Sequence, residues 1–170
     1  MIRRVAFRKA IVAGAAGALV WEIVFRILIL LGFPLFDLVF TLGTMVVGEV
    51  PPWQWWPIGM AIHASVGAIW AIFYAYFFWS TYDCAPIIQG LLFSPGPAAL
   101  AGLIMVPQMS FMHRLILEGR LPPAGVFALG MGWGGPTGIV IGHLVYGAVM
   151  GSLYVKPVGY RVGQRILPYG

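Results

Sequence analysis

His63, Gly67 and Tyr74 stand at offsets 0, +4 and +11, and His143, Gly147 and Tyr154 repeat the same residues at the same offsets. On a helix of about 3.6 residues per turn these offsets return to within roughly 40° of one direction. Each triplet is therefore one helix face: an imidazole, a position without a side chain, and a phenol about three turns along. The chemistry of such a face has four readings. The plainest is structural, with imidazoles and hydroxyls bonding across helices while Arg26 and Arg114 reach for headgroups. The second is tetrapyrrole binding. His63 and His143 would be paired metal ligands to one haem, Gly67 and Gly147 would make room for the macrocycle, and Arg26 and Arg114 would meet its propionates. A chlorophyll on one histidine is the variant. The third is proton or small-solute transport through Glu22, His63 and His143, although few acids and hydroxyls accompany them. An enzyme has least support, because no nucleophile elbow, His-Glu-x-x-His motif or cysteine pair occurs. Asp37 and Asp83 read as isolated loop acids, and His113 as an interfacial residue.

The elements that must carry these faces follow from composition. Of 170 residues, 61% are hydrophobic and 9% charged, against about 25% charged in a soluble domain. Apolar stretches at roughly Ala10–Leu31, Ile58–Trp79, Ala98–Leu117 and Gly138–Val155 each approach the roughly 20 residues that cross a bilayer. The fold class is an all-α membrane protein, a four-transmembrane-helix bundle. The first stretch is too long for a cleavable signal and lacks a cleavage site. Arg3, Arg4, Arg8 and Lys9 precede it, and Lys156, Arg161 and Arg165 follow the last one, so both termini are predicted to be cytoplasmic. The net charge of +5 then reads as topology and lipid contact, not nucleic-acid binding. A single cysteine, Cys84, excludes an internal disulfide.

Along the chain, Ala10, Gly14 and Ala18 make a small-residue face, and Glu22 is placed to pair with Arg26 one turn on. Asp37–Val47 is predicted to be a short helix lying on the membrane, and the Pro-flanked Trp53, Trp55 and Trp56 an interfacial anchor. The short turn at 80–89 predicts that the second and third spans are antiparallel neighbours, and Pro107 predicts a kink. Ala13-Gly14 followed by Arg26 matches Ala101-Gly102 followed by Arg114. With the histidine faces, this suggests two tandem pseudo-symmetric helix hairpins, residues 10–80 and 92–157, within one membrane domain. At about 1.5 Å per residue, Arg26, Arg114, His63 and His143 fall in one layer towards the outer side.

The Ala/Gly-rich first span with Trp21-Glu22, the second span opening with His63, and the late Gly142-His143-Leu144 resemble the YagU-type inner-membrane proteins of bacteria. The resemblance implies a small four-span protein of the bacterial inner membrane, with a suggested connection to acid tolerance and no known chemistry. The Trp-rich run after Pro51 departs from that pattern. Together these observations favour a non-enzymatic accessory subunit of a larger membrane complex, with an electron-transfer or photosynthetic assembly as a conceivable host. Its partners would be other membrane subunits and lipids. The alternative is a transporter acting as a homo-oligomer.

Overall fold

The computed structural model describes residues 5–79 and 81–155. Arg3, Arg4, Lys156, Arg161 and Arg165, on which the charge argument partly rests, lie outside them. Every regular element among the described residues is helical. Four helices are long and apolar enough to cross a membrane: Phe7–Leu30, Pro52–Phe78, Pro86–Met112 and Gly134–Leu153. The second begins at Pro52 instead of Ile58, because Pro51 and Pro52 open a helix that needs no N–H donor there. The third begins at Pro86 instead of Ala98, which moves Pro95 and Pro97 from its entrance to its interior.

The first and fourth spans are the central pair, each with two rows of residues spaced by four. Gly14 and Ala18 of the first span pack on the second span at Gly67 and Ala71. The adjacent row, Gly17, Trp21 and Phe25, packs on the fourth span at Tyr146, Gly142 and Gly138. Gly147 and Gly151 of the fourth span in turn meet Gly90 of the third. Lipid supplies no hydrophobic drive between helices, so close packing of small residues has to bring their backbones together. Gly90 is the third span's crossing residue, while Gly102 makes room for the ring of Phe127.

The second and third spans meet through rings near their connecting turn, where Phe93 lies 6.1 Å from Trp70, 5.3 Å from Tyr74 and 5.4 Å from Phe78. Farther from the turn a cleft separates them. The third span also carries a wide π-helical turn at Ala101–Met105. Pro107 follows it, so the distortion relieves the clash of the proline ring with the preceding turn.

The short helix Leu38–Val47 forms as expected, and Asp37 caps it by accepting the Phe40 N–H at 2.8 Å. Instead of lying free on a surface, it buries Val39, Leu42 and Thr44. Its Gly43 meets the Trp55 carbonyl, and Gly59 of the second span meets the Val39 carbonyl. The three indoles consequently diverge. Trp53 is exposed, Trp55 is buried against Phe40, and the Trp56 Nε1–H donates to Glu22 at 3.1 Å.

His113 corrects the interfacial reading, for it is fully buried. It ends the third span in extended backbone and caps the following turn, Arg114–Leu117, with Nδ1 accepting the Leu115 N–H at 3.2 Å. Its Nε2 lies 3.0 Å from the Thr41 carbonyl and 3.1 Å from the Thr44 hydroxyl. One neutral tautomer, protonated at Nε2, satisfies both nitrogens. Burial pushes the His113 pKa down, partly opposed by the bond to the Thr41 carbonyl.

Two outcomes follow. Gly90→Leu should destabilise the bundle by about 1–3 kcal/mol, since its side chain must enter the Gly147 backbone; reversible unfolding in detergent measures this. His113 stays neutral in the fold at pH values where the unfolded chain already takes up a proton. Stability should therefore fall as pH drops from about 6.5 towards the lower folded pKa, and His113→Gln should flatten that part of the pH profile.

Candidate functional site

The two histidine faces converge on one side chain, the indole of Trp21. The His63 and His143 rings each lie 4.8 Å from it, edge-on, at interplanar angles of 89° and 64°. Gly142 admits the indole, because a Cβ there would collide with it. The rest of each triplet is also brought together. The Tyr146 hydroxyl, next to Gly147, donates to the Gly67 carbonyl at 2.6 Å, and the Tyr74 and Tyr154 rings pack 6.0 Å apart. The Tyr154 oxygen accepts the Ala6 N–H at 3.2 Å, which ties the fourth span to the start of the first at one end of the bundle.

The imidazoles are not equivalent. His143 Nδ1–H donates to the Ile139 carbonyl at 2.7 Å, leaving Nε2 of the neutral ring as an acceptor. His63 is also buried, and its Nδ1 has no hydrogen-bond partner among the described residues. Both rings line a narrow cleft, with about 80 Å³ of enclosed space, between the second and third spans, floored by Trp21, Tyr146 and Ile139 and walled by Trp70, Ala101 and Met105. No charged residue lines it.

Glu22 and Arg26 pair as expected, with Arg26 Nε 2.6 Å from the Glu22 carboxylate. Asp37 is not isolated, because it accepts from Arg26 Nη2 at 2.6 Å while capping the short helix. The Arg26 guanidinium also sits 5.8 Å above the Trp55 ring. This network locks the first span to the loop that follows it. Arg114 stands apart from that network. It lies beyond the break at His113, pairs with Glu118 at 2.6 Å, and its side chain is 77% exposed. The neighbouring carboxylate raises its pKa. The expected layer of two histidines and two arginines therefore does not assemble. The extended residue His113 re-aims Arg114.

These positions do not fit a haem held between the histidines. Trp21 fills the space between the rings. The room beside Gly67 is taken by Gly14, Ala18 and Tyr146, and that beside Gly147 by Gly90 and Ser94. Arg26 is engaged by two carboxylates. Among the described residues no group of three or more His, Cys, Asp or Glu side chains could hold a metal ion. Sequence reasoning missed Trp21, Tyr146 and the role of Asp37. Only Trp21 left a signal, in its four-residue spacing from Gly17 and Phe25.

No protein-family model, curated protein or solved structure matches this chain.

Arg26→Met should destabilise the protein by about 3 kcal/mol, the lower part of the range for a broken buried pair, because the guanidinium side chain is 33% exposed. Pairing it with Glu22→Met should recover part of that loss, since the most deeply buried carboxylate is then removed and only the half-buried Asp37 loses its cation. Unfolding of the single and double variants compares the two.

Proposed function

We propose that this chain is a non-enzymatic integral membrane accessory subunit that holds a lipid-soluble molecule in the cleft between its second and third spans. One observation carries the reading: a narrow cleft, with about 80 Å³ of enclosed space, to which all four spans contribute and whose lining is apolar except for two imidazoles, a phenol and the indole N–H groups of Trp21 and Trp70. Sites for small ligands have this make-up, a largely apolar lining with a few placed polar groups. The shape also explains why the second and third spans stay apart although a short turn joins them. Along the first span Ile11, Val12, Leu19, Ile23 and Ile27 face outward. That surface suits lipid tails and the spans of partner subunits equally well.

Within this reading the recurring His-Gly-Tyr faces mark two tandem hairpins, and the basic residues put both termini on the cytoplasmic side. The YagU-type resemblance makes the bilayer a bacterial inner membrane. Transport is the weaker reading. Glu22 is held by Arg26 and Trp56, and no acid lines the cleft to continue a proton or solute path from the histidines.

The test is gentle purification from the native membrane, followed by solvent extraction and mass spectrometry of what was retained. The expected result is one apolar molecule per chain, together with other membrane chains at fixed stoichiometry. Ala101→Phe, which places a ring in the cleft, should abolish retention of the small molecule without unfolding the protein. A self-oligomer that carries no such molecule would sink the proposal.

A further inference from the structure

The cleft has a polar end, and its two imidazoles differ in what they offer. His143 is committed through Nδ1–H to the Ile139 carbonyl at 2.7 Å, so the remaining nitrogen of its neutral ring carries a lone pair. His63 is 5% exposed, lines the same cleft, and has a buried Nδ1 that no described residue bonds. Buried polar groups in folded proteins are nearly always satisfied, and an exception calls for a physical account. The corresponding bond of His143, to the carbonyl four residues earlier, is not made by His63.

The surroundings narrow what could meet these rings. No Asp, Glu, Lys or Arg lines the cleft, so a charged ligand would lie there without a counter-ion. Trp21, Phe25, Trp70 and Tyr146 present aromatic surface, which suits a flat ring. The Tyr146 hydroxyl is already spent on the Gly67 carbonyl, and the Trp21 and Trp70 indoles can only donate, which leaves the imidazoles as the groups that can accept as well as donate. The remaining aliphatic lining, such as Val66, Ala101 and Ile139, suits hydrocarbon.

We propose that His63 and His143 recognise the ring oxygen of an uncharged, lipid-soluble molecule of the quinone and quinol class, whose hydrocarbon tail runs out along the apolar part of the cleft. This assignment rests on the ligand-holding reading above and names the chemistry of its occupant. His63, with no internal partner, provides the hydrogen bond to a carbonyl oxygen. The lone pair of His143 serves a hydroxyl when the ring is in its reduced form. Trp21 holds the two imidazoles apart and offers its indole to the ring. No electron transfer by the protein itself is required for binding of either form.

The experiment uses the full chain in lipid nanodiscs with ¹⁵N-labelled histidine. It is titrated with a decyl-substituted benzoquinone and, in parallel, with decylbenzene, which has the ring and tail but no oxygen. The quinone should bind at least tenfold more tightly than decylbenzene and should move the ring nitrogen resonances of His63. His63→Leu should remove most of that preference, with decylbenzene binding to the same variant measured as the reference for the state of the cleft. His63→Gln, which keeps a donor, should retain part of the preference and covers the case in which the leucine variant fails to fold. Equal binding of the two probes, with His63 resonances unmoved, would overturn the oxygen-recognition proposal and leave the cleft as a hydrocarbon site. Binding of neither probe would overturn both readings.

Discussion

The wedge of Trp21 between His63 and His143 is the contact on which the rest of the bundle depends. The indole belongs to the first span and the imidazoles to the second and fourth, so one side chain sets the spacing of three helices. It enters because Gly142 has no side chain to exclude it. Around it the backbones close up at glycine, with Gly14 against Gly67 and Gly147 against Gly90. In lipid such contacts replace the hydrophobic effect as the source of packing energy, and each depends on atoms that are absent. The third span takes no part in the wedge, which is the geometric reason a cleft remains beside it.

Polar groups are sorted by how fully the protein can satisfy them. Glu22, Arg26 and Asp37 form a closed set, reinforced by Trp56 and by the face of Trp55. His113 is closed as well, with both nitrogens engaged and its pKa lowered by burial. Networks of this kind fix one arrangement of the loops around the far end of the bundle. His63 is an exception, as is the buried Gln89 Oε1. The His63 ring lines the cleft between the second and third spans while its buried Nδ1 is unbonded, and the functional reading follows from that coincidence of an unsatisfied group with an unfilled space.

The third span shows how local breaks redirect a regular pattern. Its early start at Pro86 moves the glycine crossing to Gly90, and the wide turn before Pro107 presents Gly102 to Phe127. Extended backbone at His113 then turns Arg114 out to the exterior. A residue count along an ideal helix places Arg114 level with Arg26. Three departures from ideality remove that equivalence.

Composition and apolar run length determined the helical class and the four spans, because a bilayer admits few other ways to satisfy a backbone. Spacing determined the Glu22–Arg26 pair, the helix after Asp37, and the two imidazole faces, since each is a local relation along one helix. What lies between those faces was decided only in three dimensions. That Trp21 occupies the space a macrocycle would need, that Asp37 closes a network, and that His113 is buried all depend on contacts between distant segments. Periodicity states which way a side chain leaves its own helix. It carries no information about how far away the next helix is or what has already filled the gap.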